Sequence, residues 1–70
     1  MFKIHSNPGG EFWFTICSTN GSKMATSETY PSKANVRRAV RGTILSLGID
    51  TVKIFDCTHI VKEEISLTDL

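Results

Sequence analysis

The chain has 70 residues, 21% charged and 40% apolar, with a formal net charge of +1. That composition fits one folded domain rather than a disordered segment, and no apolar run approaches the ~18 residues of a membrane span. The first residues lack the basic-then-apolar order of a secretory signal, so a cytoplasmic protein is expected. In chain order, Phe2-Lys3-Ile4-His5 alternates apolar and polar, and Ser6-Asn7-Pro8-Gly9-Gly10 reads as a turn. The run from Glu11 to Thr19 is β-rich and aromatic, and Asn20-Gly21 then separates it from Ser22–Ser27. Asn-Gly between alternating runs predicts a hairpin with a two-residue type I′ turn. Its register pairs Cys17 with Met24, Ile16 with Ala25 and Thr15 with Thr26. One face then carries Phe12, Phe14, Ile16 and Ala25, and the other Trp13, Thr15, Cys17, Met24 and Thr26.

The period changes after Pro31. Ser32 is placed to cap a helix, and Val36, Val40, Thr43, Ile44 and Leu47 recur at helical spacing as an inward stripe. Gly48 is the expected stop. Ile49–Asp56 reads as a further strand with Val52 and Ile54 on one side. The segment 57–70, with Ile60, Val61 and Ile65, suits either a short helix or another strand. Residues 1–56 are thus expected as the domain and 57–70 as its tail.

The run Gly10-Glu11-Phe12, Phe14, Ile16, Asn20-Gly21, Ala25-Thr26-Ser27-Glu28, Tyr30 and Ser32-Lys33-Ala34 resembles the YegP-like family of short bacterial domains without an assigned role. The resemblance covers about residues 2–47. It implies an α+β fold: a β3-α-β unit, an antiparallel sheet with one helix packed on one face. It further implies a homodimer in which the strand near 51–56, with Val52 and Ile54, is exchanged between two copies. This sequence departs from the family in placing Trp13, Thr15 and Cys17 where basic residues are usual, and in carrying Val36, Arg37, Arg38 and Ala39 where small residues and a glycine are usual. The residues themselves argue toward self-association as well. Below about 70–80 residues a single core rarely supplies more than 3–5 kcal/mol without added support, and closed twofold association is the commonest such support.

Function has three kinds of candidate. Lys33, Arg37 and Arg41 follow i, i+4, i+8 spacing with Arg38 beside them, a stripe able to contact phosphates or simply to face water and the acidic tail. Trp13, Cys17 and Met24 form a candidate partner surface, unless the tail from Ile60 to Ile65 folds back over it. Cys57-x-His59, even joined by Cys17 and His5, lacks zinc-ligand spacing, so no metal is expected. No phosphate loop, paired carboxylates or nucleophile beside a base is present in the sequence, so neither catalysis nor a cofactor is expected. The two cysteines are expected as free thiols. The reading is a small homodimeric interaction module acting on another macromolecule, with weak sequence-independent nucleic-acid binding by the helix as the alternative.

Overall fold

A computed structural model describes residues 1–49 and 51–70; Asp50, near the head of the run expected as the last strand, lies outside them. The elements are β1 (Phe2–Ser6), β2 (Phe12–Cys17), β3 (Lys23–Thr26), α1 (Lys33–Leu47), β4 (Ile54–Asp56), β5 (Glu63–Ile65) and a 3-10 turn, Leu67–Asp69. The strands form one sheet in the order β3-β2-β1-β4-β5. The fold class is α+β, with one helix on one face of this sheet.

The hairpin reaches the expected register by a different turn. Among the described residues only glycines have positive φ, so Asn20 does not take the conformation a type I′ turn requires. Its carboxamide oxygen instead accepts the Ser22 N–H at 3.1 Å and the Ser18 hydroxyl. Gly21 N–H donates to the Ser18 carbonyl at 2.9 Å, Ser18 N–H donates to that of Ser22, and Gly21 sits at φ 90°. The loop is therefore Thr19-Asn20-Gly21, which pairs Cys17 with Lys23 rather than Met24. A bulge at Met24 restores the register, so that Ile16 meets Ala25 and Thr15 meets Thr26 as expected.

The sheet is mixed, which corrects the antiparallel expectation. β1 pairs with β2 antiparallel but with β4 parallel, Phe2 opposite Ile54 and Ile4 opposite Asp56. The reason is the path of the chain. β3 runs in the direction of β1, the helix returns the chain across the sheet, and the next strand repeats the direction of β1. β4 is also shorter than expected, and of the two alternatives for the tail, residues 63–65 adopt strand, antiparallel to β4.

Phe2, Ile4, Phe14, Ile54 and Ile65 from the sheet meet Val36, Val40 and Ile44 from the helix in one core, with Val52 half-buried against it. Leu47, expected in the helix stripe, is instead 60% exposed, because it lies in the last turn beyond the reach of the sheet. Ser32 Oγ accepts the Asn35 N–H at 3.1 Å and caps the helix; Gly48, at φ 69°, ends it by donating to the Ile44 and Leu45 carbonyls. No helix among the described residues is long and apolar enough to cross a membrane.

The two helix glycines make opposite predictions. A Cβ on Gly42 would meet nothing within 4 Å, and its φ is not positive, so Gly42→Ala should raise stability by about 1 kcal/mol. Gly48→Ala forces a side chain into the left-handed region and should lower stability by about 1–2 kcal/mol. Urea unfolding of the two variants checks both signs.

Candidate functional site

Two regions of the molecule gather polar and aromatic groups. The first joins the start of α1 to the end of β4. Asp56 shares the core face of the sheet with Ile4 and Ile54, and it is 1% exposed. A carboxylate so placed requires partners. Its Oδ2 lies 3.0 Å from Lys33 Nζ and 3.1 Å from Arg37 Nη2, while Oδ1 accepts the Thr58 N–H at 2.9 Å and the Thr58 hydroxyl. Burial alone would push this carboxyl up; the Thr58 bonds first, then Lys33 and Arg37, outweigh it and hold the group well below the usual carboxylate range. His59 Nε2 stands 3.9 Å from the same oxygen and 3.0 Å from Lys33 Nζ. Arg37 also donates to the Asp69 carbonyl at 3.2 Å, tying the C-terminal turn to the helix.

The basic stripe is thus divided. Lys33 and Arg37 are committed to Asp56, whereas Arg38 and Arg41 are exposed, Arg38 within 3.4 Å of Asn35 Oδ1. Asp56 and Thr58 had not been singled out in the sequence. A signal for Asp56 existed: it alternates in phase with Ile54, so an acid was directed toward the core.

The second region is the sheet face away from the helix. Cross-strand partners share a face, so the ladder assembles His5 with Trp13, Lys3 with Thr15, Thr26, Phe55 and Glu64, and Cys17 with Lys23. Lys62 Nζ sits 4.6 Å above the Phe55 ring. His5 and Trp13 stack at 5.6 Å between centroids, and His5 Nε2 lies 2.9 Å from Thr15 Oγ1. Burial first, then Lys3 and Lys23, push the His5 imidazole down, which favours its neutral form. Of the expected partner surface, Trp13 is half-buried and Cys17 is buried, while Met24 at the bulge is 71% exposed. The tail does not cover this face; it extends the sheet through β5 and leaves Ile60 and Val61 in water.

The thiols do not converge. Cys17 N–H donates to the Met1 carbonyl and Cys57 N–H to that of Ile4, which sets the two cysteines roughly 10 Å apart along β1, too far for a disulfide within the chain. Burial pushes the Cys57 thiol up. His59 turns to Asp56 on the core side, so it does not meet Cys57, and no group of metal-ligating side chains gathers among the described residues.

The residues that prompted the family resemblance occupy scaffold positions. Phe14 N–H donates to Ser27 Oγ at 2.9 Å, and Phe12 and Tyr30 exchange backbone hydrogen bonds. Residues 8–42, half of the chain, match the family described as a domain of unknown function, DUF1508. The chain belongs to this family. It is the YegP-like family that the hairpin and the Ser27-Glu28-x-Tyr30-x-Ser32-Lys33 run suggested. No curated protein and no solved structure matches the chain. In this DUF1508 member the matched run stitches β2, caps α1 and supplies Lys33 to Asp56.

Asp56 gives the site a pH signature. Its folded pKa is depressed below the unfolded value of about 3.9, so its stabilisation is complete above about pH 5 and is lost progressively as pH falls from there toward the lowered folded pKa. Asp56→Asn should cost about 2–4 kcal/mol at pH 7, at or below the usual range for a broken buried pair because Lys33 and Arg37 still reach solvent. The gap to the parent should narrow from pH 5 to pH 3, as read by thermal melts across that range.

Proposed function

We propose that this protein is a small homodimeric interaction module that works through its surfaces on another macromolecule and performs no catalysis. The observation that carries the reading is the attachment of β4. Three residues long, it follows the stretch Thr51–Lys53 and supplies the buried Ile54 and Asp56. Apart from β5 and Thr58, which follow it in the chain and would travel with it, the groups it meets, among them Phe2 and Ile4 in β1 and Lys33 and Arg37 in α1, are presented equally by a second copy. Exchange of the strand carrying Val52 and Ile54 therefore preserves each contact and adds a new interface at the crossing. Among the described residues the large apolar side chains of Met24, Leu45, Leu47, Ile60 and Val61 are more than half exposed and available to such an interface. The two separated thiols suit a reducing compartment, and a cytoplasmic location goes with the proposal.

Molar mass in solution tests the dimer. Sedimentation of the full chain at micromolar concentration should give twice the 7.8 kDa chain mass. Deleting Thr51 and Val52 shortens the return to β1 and should leave only dimer. A single-chain mass at every concentration for the full chain would overturn the shared sheet.

Phosphate binding by the helix, the alternative from the sequence, has Arg38 and Arg41 as its solvent-facing cations, since Lys33 and Arg37 are engaged. The double variant Arg38→Glu/Arg41→Glu leaves the Asp56 pair in place and is expected to leave binding of generic nucleic acid unchanged. A severalfold loss in an electrophoretic assay at low salt would favour the helix.

A further inference from the structure

We propose that the helix-free face of the sheet binds single-stranded nucleic acid, with Trp13 and Phe55 stacking bases and Lys3, Lys23, Lys53 and Lys62 neutralising phosphates. The inference names the partner of the interaction-module reading and rests on it only for the claim that the protein acts through a surface, not on the dimer.

Charge is the first support. Lys3 and Lys23 share this face by register, and Lys62 reaches it over Phe55. Lys53 lines a groove of about 410 Å³ beside Phe55, with Met1, Thr19, Thr51 and Val52. Glu64 is the acid among the strand residues of this face, whereas Asp56 and Glu63 pair on the core side. The cations are thus drawn from four separate segments onto one surface, and none of them forms an ion pair among the described residues.

Ring geometry is the second. Trp13 is steadied on one ring face by the stacked His5, its cross-strand partner. Phe55 lies two strands away and two residues along, about 12 Å from Trp13 by sheet spacing. Rings so spaced on an open sheet suit bases of one strand that are free to splay, because each base offers a π-face when unpaired. A duplex hides those faces and would find only the lysines. A second copy docked face to face would set lysine against lysine, which disfavours it. An acidic peptide would satisfy the lysines but leave the rings without stacking partners.

The experiment uses Trp13, the single tryptophan, as reporter. The full chain is titrated with a 15-nucleotide oligo-dT, the same strand annealed to its complement, and poly-glutamate of equal charge. Quenching by oligo-dT, at least tenfold tighter than by the duplex or the poly-glutamate, is expected. The log–log salt dependence should have a slope of about −3, as four phosphate contacts on a single strand require. Trp13→Ala, followed by anisotropy of a labelled oligo-dT, should weaken binding about tenfold. The exposed Lys23→Glu/Lys62→Glu pair should weaken it at least as much, with unchanged circular dichroism. No binding of oligo-dT at low salt, equal binding of poly-glutamate, or indifference to Lys23→Glu/Lys62→Glu would each overturn the proposal. Molar mass measured on the same samples separates the two readings. An intact dimer that ignores oligo-dT overturns the nucleic-acid surface alone, and a monomer that binds it overturns the dimer alone.

Discussion

A five-stranded sheet has two faces, and the described residues bring a single α-helix to cover them. On the covered side the consequences are ordinary: Val36, Val40 and Ile44 close over Phe2, Ile4, Phe14, Ile54 and Ile65, and water is excluded. On the other side the sequence must tolerate water across the whole sheet. It does so with small groups at the centre, Thr15 and Cys17, which their neighbours bury, and with long stems and stacked rings around them. Lysine suits that position because its methylenes cover apolar surface while the ammonium stays wet. The uncovered face is therefore where the molecule can meet something else.

The second dependence is electrostatic. Packing alone fixes which stripe of α1 faces the sheet, but Asp56 fixes where along the sheet the helix begins. Two cations spaced one helical turn apart converge on one carboxylate oxygen, and the Thr58 amide and hydroxyl hold the other. A buried acid is costly without such company. Here it joins the first turns of the helix to the segment that follows β4, through groups that no single stretch of sequence contains.

That distribution decides what could be read in advance. Alternation placed Phe12, Phe14 and Ile16 correctly against the helix stripe, and Ser32 and Gly48 bounded the helix as expected, because each signal is local. The hairpin turn departs from the expected type for an equally local reason, since Asn20 has a second use for its carboxamide that frees it from positive φ. The bulge at Met24 then returned the strands to the expected register. The parallel pairing of β4 was not legible, because it follows from the path of the chain across the sheet rather than from any residue. Lys33 and Arg37 looked like half of a solvent stripe because their partner lies 19 residues beyond Arg37.

The same logic separates scaffold from surface within the family run. Ser27, Ser32 and Lys33 look chemically versatile, yet each side chain is consumed by the fold: one accepts from β2, one caps the helix and one neutralises Asp56. Side chains spent in this way cannot also reach a ligand. Lys3, Lys23, Lys53 and Lys62 carry no motif, and no spacing links them. What unites them is that β1, the hairpin turn and the two ends of the β4–β5 ribbon deliver them to the one face no helix occupies. A surface built from such scattered contributions can change its charge one residue at a time without disturbing the core beneath it. The scaffold of this chain thus fixes little of the charge its open face carries.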